Sequence, residues 1–459
     1  MMRGFLFIMK MKKIPKINLT QKPQYKKIAE DVDFFVLFQK IVQSFPTCFL
    51  FESLGEEGKF SRYSLIGFDP KHIISARENI LFVDGEGYTV PNPYETLQQM
   101  MPKQIHAKLY AGGLVGYLGY DAVNYFEPSI RVKTHSQFDQ FLFGIYTDGV
   151  IFDKVTNELL YFYYDTDRSI VVQSLFSKKV KKREVKVTFI KESLTKKEHA
   201  EIVANVKKQI ESGNTFQCEV GFKSNYSIEG DALQIYEQLR AVNPSPFMYY
   251  VQFGEKKIIG ASPELLFSVR DGEMTTRPLA GTIRRGKTEK EDSMLARTLL
   301  HDTKEIAEHT MLVDMHRNDL GKVSKFGTVK VREAMSIKRF SHVQHISSEV
   351  VGQMESGSTM FSGLASNFPM GTVCGTPKVE TMKIIDANEP LGRGPYGGGV
   401  GHFGFNGDCT FALALRSLFV SGTDAYTQTS GGIVADSVAE NEYNEIQNKL
   451  AAMRRVLSL

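Results

Sequence analysis

Four glutamates stand in two identical spacings far apart in the chain: Glu305 with Glu308, and Glu442 with Glu445. Each E-x-x-E pair lies in a stretch that reads as helix. One opens near Asp302, and the other runs from Ser437 to Leu457 with Ser437 and Glu440 at capping-box spacing. Residues three apart on a helix are neighbours, so each pair sets two negative charges on one face, which is mildly destabilising in water. Either pair alone reads as an ordinary acidic helix start favoured by the macrodipole. Both pairs facing one cavity would repel by about 4 kcal/mol per pair of charges at about 4 Å and a surface-like dielectric. A hard divalent cation held by carboxylates, waters and an anionic substrate removes that repulsion, and magnesium prefers such a shell.

Two other segments imitate phosphate-binding loops. Gly281 to Thr288, GTIRRGKT, matches the P-loop pattern, with the MLVD of Met311 to Asp314 as a possible companion. The segment before it, TTRPLA, carries Arg277 and Pro278 where a buried strand is required, and MLVD falls inside a helix, so ATP binding is not expected. Gly399, Gly401 and Gly404 satisfy G-x-G-x-x-G, yet turn and strand follow them where a dinucleotide site needs a helix. These glycines read instead as places where two backbones, or a backbone and a ligand, come close.

The elements that must position the glutamates show no regular βαβ rhythm and no internal repeat. Short β-rich runs alternate with glycine turns over Met248 to Ala280 and Tyr396 to Val434, while Thr195 and Glu198 open a helix whose apolar positions are Ile202, Val203, Val206 and Ile210. In TFQCEVGF, alternation puts Phe216, Cys218, Val220 and Phe222 on one face of a strand and Gln217 and Glu219 on the other. The expected fold is α+β: large antiparallel sheets in a layered sandwich with helices outside. The expected division is an N-terminal domain over 1–177, a connection over 178–194 containing the basic run Lys178 to Lys186, and a second domain over 195–459.

A chain of 459 residues can bury a sizeable core, and a net charge of +4 gives no electrostatic case for nucleic acid. Cys48, Cys218, Cys374 and Cys409 are scattered, without zinc spacing or disulfide density, which suits a reducing cytoplasm. The apolar stretch in MMRGFLFIMKMKK is too short for a secretory signal or a membrane span, and Met9 and Met11 compete with Met1 as the start.

The second half resembles the chorismate-utilising enzyme family in a series of long motifs. They read ASPELLF (Ala261 to Phe267), RPLAGTIRRG (Arg277 to Gly286), KEIAEHTMLVDMHRNDLGKV (Lys304 to Val323), SHVQHI (Ser341 to Ile346), FPMGTVCGTPKVETM (Phe368 to Met382), GPYGGGVGHFG (Gly394 to Gly404) and SGGIVADSVAENEYNEIQNK (Ser430 to Lys449). FLFESL, RYSLIG and GGLVGYLGYDAVNYFE extend the resemblance into the first half. The resemblance implies Mg²⁺ as cofactor, with Glu308 and Glu445 as direct ligands and Glu305 and Glu442 supporting through water, and chorismate as substrate. It further implies that Tyr396 and Arg416 meet the enolpyruvyl carboxylate, that Gly431 and Gly432 offer backbone N–H groups, and that Gly281, Thr282, Thr372 and Lys449 complete the contacts. Glu264 is then the proton donor to the leaving hydroxyl, and His345 the group serving elimination.

Water-adding members of the family resemble one another in carrying a lysine base where this chain has Gln217, and a neutral amide cannot activate water. The aminodeoxychorismate branch usually carries a nucleophilic lysine where PLAGT has Ala280. The resemblance therefore implies direct attack by ammonia and release of anthranilate, with aminodeoxychorismate formation as the alternative. Ser53, Pro246, Phe247 and Met248 resemble the tryptophan-inhibitor pocket of the anthranilate-forming members. No Cys-His-Glu glutaminase module follows the last helix, so nitrogen is expected from a glutamine amidotransferase partner or free ammonia. GNTFQCEVGF and the Thr376 of GTVCGTPKV depart from the family pattern, and Cys218 and Cys374 are expected to pack.

Overall fold

The computed structural model describes residues 14–19, 21–55, 61–181, 183–340 and 343–457. The competing start positions Met1, Met9 and Met11, and Ser341 and His342 of SHVQHI, lie outside the described residues.

Two antiparallel sheets, twelve strands each among the described residues, dominate the architecture. Aromatic and β-branched side chains from both inner faces interdigitate between them, including Phe49, Tyr249 and Phe419 from one sheet and Tyr117, Val400 and Ala412 from the other. The outer face of the first sheet is covered by helices Phe34–Ser44, Leu233–Val242 and Ala439–Leu457, through Phe38, Tyr236 and Met453 among others. A third cluster packs Phe267, Phe403 and Phe411 of the second sheet against helices carrying Leu97, Leu320 and Leu364. The layered α+β class expected from the sequence is the one observed.

Neither sheet respects the expected division at residues 178–194. In the first, Thr47–Glu52 pairs with Phe247–Phe253, and in the second, Gly113–Leu118 pairs with Gly399–Gly404. Both edges of each early strand are thereby satisfied, which no local signal in the sequence demands. The basic connection ends in an edge strand, Val185–Glu192, paired on one side with Gln217–Gly230.

Several local expectations meet the structure directly. Thr195 and Glu198 form the full capping box of helix Lys196–Glu211. Ser437 and Glu440 do not: the last helix starts at Ala439, the Ser437 hydroxyl accepts from Val434 N–H at 3.0 Å, and Glu440 pairs with Lys196 at 2.7 Å. Cys218, Val220 and Phe222 are core, but Phe216 is 71% exposed because it precedes the strand. The P-loop imitation is strand and turn, with its donors taken. Arg285 and the Gly286 N–H both bind the Asp292 carboxylate. Gly401 sits in a strand where a Cβ would meet the Thr410 carbonyl oxygen at 2.0 Å, so this glycine permits backbone to approach backbone. No described helix is long and apolar enough to cross a membrane.

Candidate active site

Strands Gln217–Gly230 and Asp424–Ile433 run side by side with Glu219 opposite Gly432 and Gly221 opposite Ser430. Since Cys218 and Val220 face the core, the pleat turns Gln217 and Glu219 the other way, where they remain 4% and 7% exposed. Gly432 is required between them. A Cβ there would sit 2.5 Å from Gln217 Nε2 and 2.7 Å from Glu219 Oε1. The Ser430 hydroxyl donates to Glu219 at 2.8 Å and so accepts from the Tyr396 hydroxyl at 2.9 Å. Lys449 Nζ donates to the Ser430 carbonyl at 3.0 Å and pairs with Glu445 at 2.7 Å.

Two helices bring the four glutamates to this strand pair. Asp302 caps Thr303–Gly321, accepting from the N–H groups of Lys304 and Glu305. One turn on, Glu308 Oε1 accepts from Gln217 Nε2 at 3.1 Å, and Glu305 Oε2 lies 3.1 Å from where a Cβ on Gly281 would stand. From the other helix, Glu442 Oε2 lies 3.4 Å from the corresponding point on Gly431. Burial, then the charge of Glu308, raises the pKa of Glu305, and Glu445 from the distant helix adds to it. Glu442 is raised by burial and by Glu445. Both pairs thus act within one field, as the spacing argument requires.

Among the described residues, no three His, Cys, Asp or Glu side chains gather into a ready-made metal cage. The donors nonetheless fit magnesium. They are hard carboxylate oxygens that repel one another, spread widely enough for an ion that keeps several waters and completes its shell with an anionic substrate.

Across from the carboxylates lie the groups suited to proton transfer. Glu264 follows strand Lys256–Ser262, is 3% exposed, and accepts from Leu279 N–H at 3.1 Å. Burial lifts its carboxyl to about 8 against the pull of the Leu279 N–H, Thr372 and Arg416, with Glu219 pushing the same way as burial. It therefore carries a proton at neutral pH. The Thr372 hydroxyl neighbours this carboxyl but makes no hydrogen bond of full geometry. His345 Nδ1 lies 3.0 Å from both the Gly281 carbonyl and the Thr282 hydroxyl. A carbonyl only accepts, so Nδ1 carries the hydrogen and Nε2, buried without a partner, offers its lone pair. Burial, reinforced by Arg416 and Lys449, lowers this imidazole to about 3 and keeps it neutral. Arg416 holds a left-handed backbone at φ 48°, a strain maintained where its guanidinium acts on both Glu264 and His345.

Glu219 is the residue of this site that sequence reasoning left unassigned. Alternation places it beside Gln217, but its burial among charged groups arises from the packing of two remote helices. That burial lifts its carboxyl to about 7, with Lys449 and Ser430 opposing.

A second site, a cavity of about 200 Å³, opens between the sheets and is lined by Ser53, Pro246, Phe247 and Met248 together with Phe51 and Tyr249. The four residues singled out as an inhibitor pocket share one wall although 193 positions of chain separate Ser53 from Pro246. Lys108, Arg270 and Asp408 also line it, and one of its carboxylates is already paired. Glu52 binds Arg240 at 2.6 Å and accepts from the Tyr236 hydroxyl at 2.8 Å.

Residues 15–455 match the chorismate binding enzyme family. Anthranilate synthase component 1 of Leptospira biflexa is 49% identical over 454 residues, spanning 97% of this chain and 98% of that one. The counterpart in Methanothermobacter marburgensis is 39% identical over 96% of each chain. Among solved structures, anthranilate synthase component I from Streptococcus pneumoniae TIGR4 superposes with a TM-score of 0.76 at 30% identity, covering 87% of this chain and 94% of that one. MenF, the menaquinone-specific isochorismate synthase of Escherichia coli, shares the fold at a TM-score of 0.75 and 18% identity, over 97% of each chain. With this match spanning nearly its whole length and the converging carboxylates in place, the chain belongs to the chorismate binding enzyme family.

Proposed function

We propose that this chain converts chorismate and ammonia to anthranilate and pyruvate, the opening reaction of tryptophan synthesis. The observation that carries the reading is the meeting of Glu305, Glu308, Glu442 and Glu445 around Gln217, opposite a Glu264 that holds its proton. Gln217 and Ala280 stand where a water-activating or nucleophilic lysine would favour the other branches. The names of relatives up to 49% identical over almost the full length support the same choice.

Binding begins with charge. Tyr396, Arg416 and the backbone N–H groups of Gly431 and Gly432 are suited to the enolpyruvyl carboxylate of chorismate. Glu308 and Glu445 are the proposed magnesium ligands, assisted through water by Glu305 and Glu442; when bound, the ion supplies the positive charge that draws the ring carboxylate in and offsets the four glutamates. Glu264 donates its proton to the ring hydroxyl, which leaves as water while ammonia supplies the electron pair of the new C–N bond. His345 Nε2 then accepts the ring proton as pyruvate departs and the ring becomes aromatic.

The second cavity is proposed to hold tryptophan as an inhibitor, its apolar wall of Phe51, Phe247 and Met248 matching an indole and Ser53 an amino-acid head group. A glutamine amidotransferase subunit is the proposed nitrogen donor, and the cytoplasm the proposed location. The test is direct: with chorismate, ammonium salt and magnesium, blue-fluorescent anthranilate should accumulate. A non-fluorescent amino product would move the assignment to the aminodeoxychorismate branch.

A further inference from the structure

The face of strand Gln217–Gly230 that carries Gln217 and Glu219 also carries Lys223, four residues past Glu219 and about 13 Å further along the strand. A buried ion pair, Arg393 with Glu389 at 2.7 Å, lies between the two positions, bonded to the Glu219 carbonyl and the Gly221 N–H. Lys223 therefore has no part in the site described above. It lines a separate pocket of about 490 Å³ with His135, Gly392 and Tyr426, and the rim of that pocket bears Ile190 and Leu391, 55% and 51% exposed. The lining carries two lysines, Lys133 and Lys223, against the single carboxylate of Asp424, which accepts from Gln137 Nε2 at 2.7 Å. Lys133 Nζ is held on the Glu389 carbonyl at 3.0 Å.

Lys223 is 3% exposed, yet its ammonium is short of partners. It donates to the Gly392 carbonyl at 2.6 Å and stands 4.1 Å from the centre of the Tyr426 ring. Glu389 and Asp121 act on it without a hydrogen bond to it. Glu389 receives Arg393 and the Gly221 N–H instead, and Asp121 receives the His135 N–H. Burial pulls Lys223 down to about 7, with Glu389 and Asp121 opposing and Arg393 assisting. A buried ammonium with N–H groups to spare gains from an anion that enters its pocket. His135 presents a donor to the same pocket. Its Nδ1 accepts from the N–H groups of Gln137 at 3.1 Å and Phe138 at 3.3 Å, which leaves the ring hydrogen on Nε2. The imidazole stacks on Tyr426 with ring centres 5.1 Å apart. We propose that this pocket binds a small organic carboxylate, its anionic end on Lys223 and its apolar body against Tyr426 and the rim formed by Ile190 and Leu391.

The test is titration calorimetry of the full chain with sodium benzoate, without chorismate or magnesium. Benzoate should bind about tenfold or more tightly than benzyl alcohol, which has the ring without the charge. It should also bind more tightly than acetate, which has the charge without the ring. Lys223→Met should weaken benzoate by about tenfold or more. Leu391→Glu adds a like charge at an exposed position and should weaken it about fivefold. If Lys223→Met fails to fold, Leu391→Glu decides the matter alone. Absence of benzoate binding overturns the site. So does binding that survives Leu391→Glu unchanged, since the ligand would then sit elsewhere, as at Arg416. Benzyl alcohol binding as well as benzoate would remove the role of Lys223, and inorganic phosphate binding more tightly than benzoate would remove that of the apolar wall. The measurement needs no turnover, so its outcome is independent of the anthranilate reading.

Discussion

Two sites of this molecule, the carboxylate cluster as the first and the cavity between the sheets as the second, handle charge in different ways. Around Gln217, carboxylates from two helices face one another, an amide oxygen and an imidazole nitrogen are buried without partners, and Arg416 holds a strained backbone. Between the sheets, by contrast, Glu52 is closed by Arg240 and Tyr236, and aromatic and aliphatic side chains make the wall. The first site is incomplete without ligands of particular charge. The second is walled mainly by aromatic and aliphatic groups and selects chiefly by shape. A site of the first kind is built for chemistry, since preorganised but unsatisfied groups act on whatever enters; the second kind suits a regulator that binds without reacting.

The sharpest way to break this comparison is to remove the proton of the first site. Glu264→Gln should lower kcat about a thousandfold, read by anthranilate fluorescence, with an unaltered circular dichroism spectrum. A loss below tenfold would deprive the polar site of its central acid. Filling the second cavity tests the other half: Ser53→Phe should raise the tryptophan concentration needed for half-inhibition on the order of a hundredfold. If tryptophan does not inhibit the wild-type protein at all, the apolar cavity is not a regulatory site.

Next in size is the metal. Glu305→Gln should raise the magnesium half-saturation roughly tenfold. The same change removes one of two like charges on a helix face, so the protein in EDTA should melt slightly higher, by about 0.5 kcal/mol of stability. A site residue whose loss stabilises the empty protein is what distinguishes the first site from the second. The pH profile follows from Glu264. Its folded value of about 8 lies above the ordinary carboxyl range, so the required proton is present below about 8 and lost above it. kcat/KM should therefore fall about tenfold per unit on the alkaline side. His345, lowered to about 3, stays neutral across the acid range and contributes no acid limb. The smallest expected effect is none: Lys287→Ala should leave anthranilate formation and the absence of ATP binding unchanged, because the neighbouring Arg285 and Gly286 donors are committed to Asp292.

The chemistry of the first site was largely legible in the chain, and its architecture was not. Helical spacing alone pairs Glu305 with Glu308 and Glu442 with Glu445, and strand alternation alone turns Gln217 and Glu219 to one face. These are local periodicities. The motifs fix Glu264 and His345 by resemblance, but the neutral state of one and the proton on the other come from burial by remote segments. Ser437 shows the limit of a local rule. It has capping-box spacing with Glu440, yet the chain spends its hydroxyl on Val434, and Lys196 from another helix claims the glutamate. Strand pairing likewise runs across the expected boundary at 178–194, where the composition changes.

That pairing pattern has a consequence for how the protein is made. Strand Thr47–Glu52 leaves the ribosome long before Phe247–Phe253, and Gly113–Leu118 long before Gly399–Gly404. For much of synthesis both early strands present bare backbone edges in apolar surroundings, the kind of surface that sticks to other chains. A fragment ending near residue 190 should therefore need a chaperone to stay in solution, and the nascent protein can close its sheets only once its last strands have emerged.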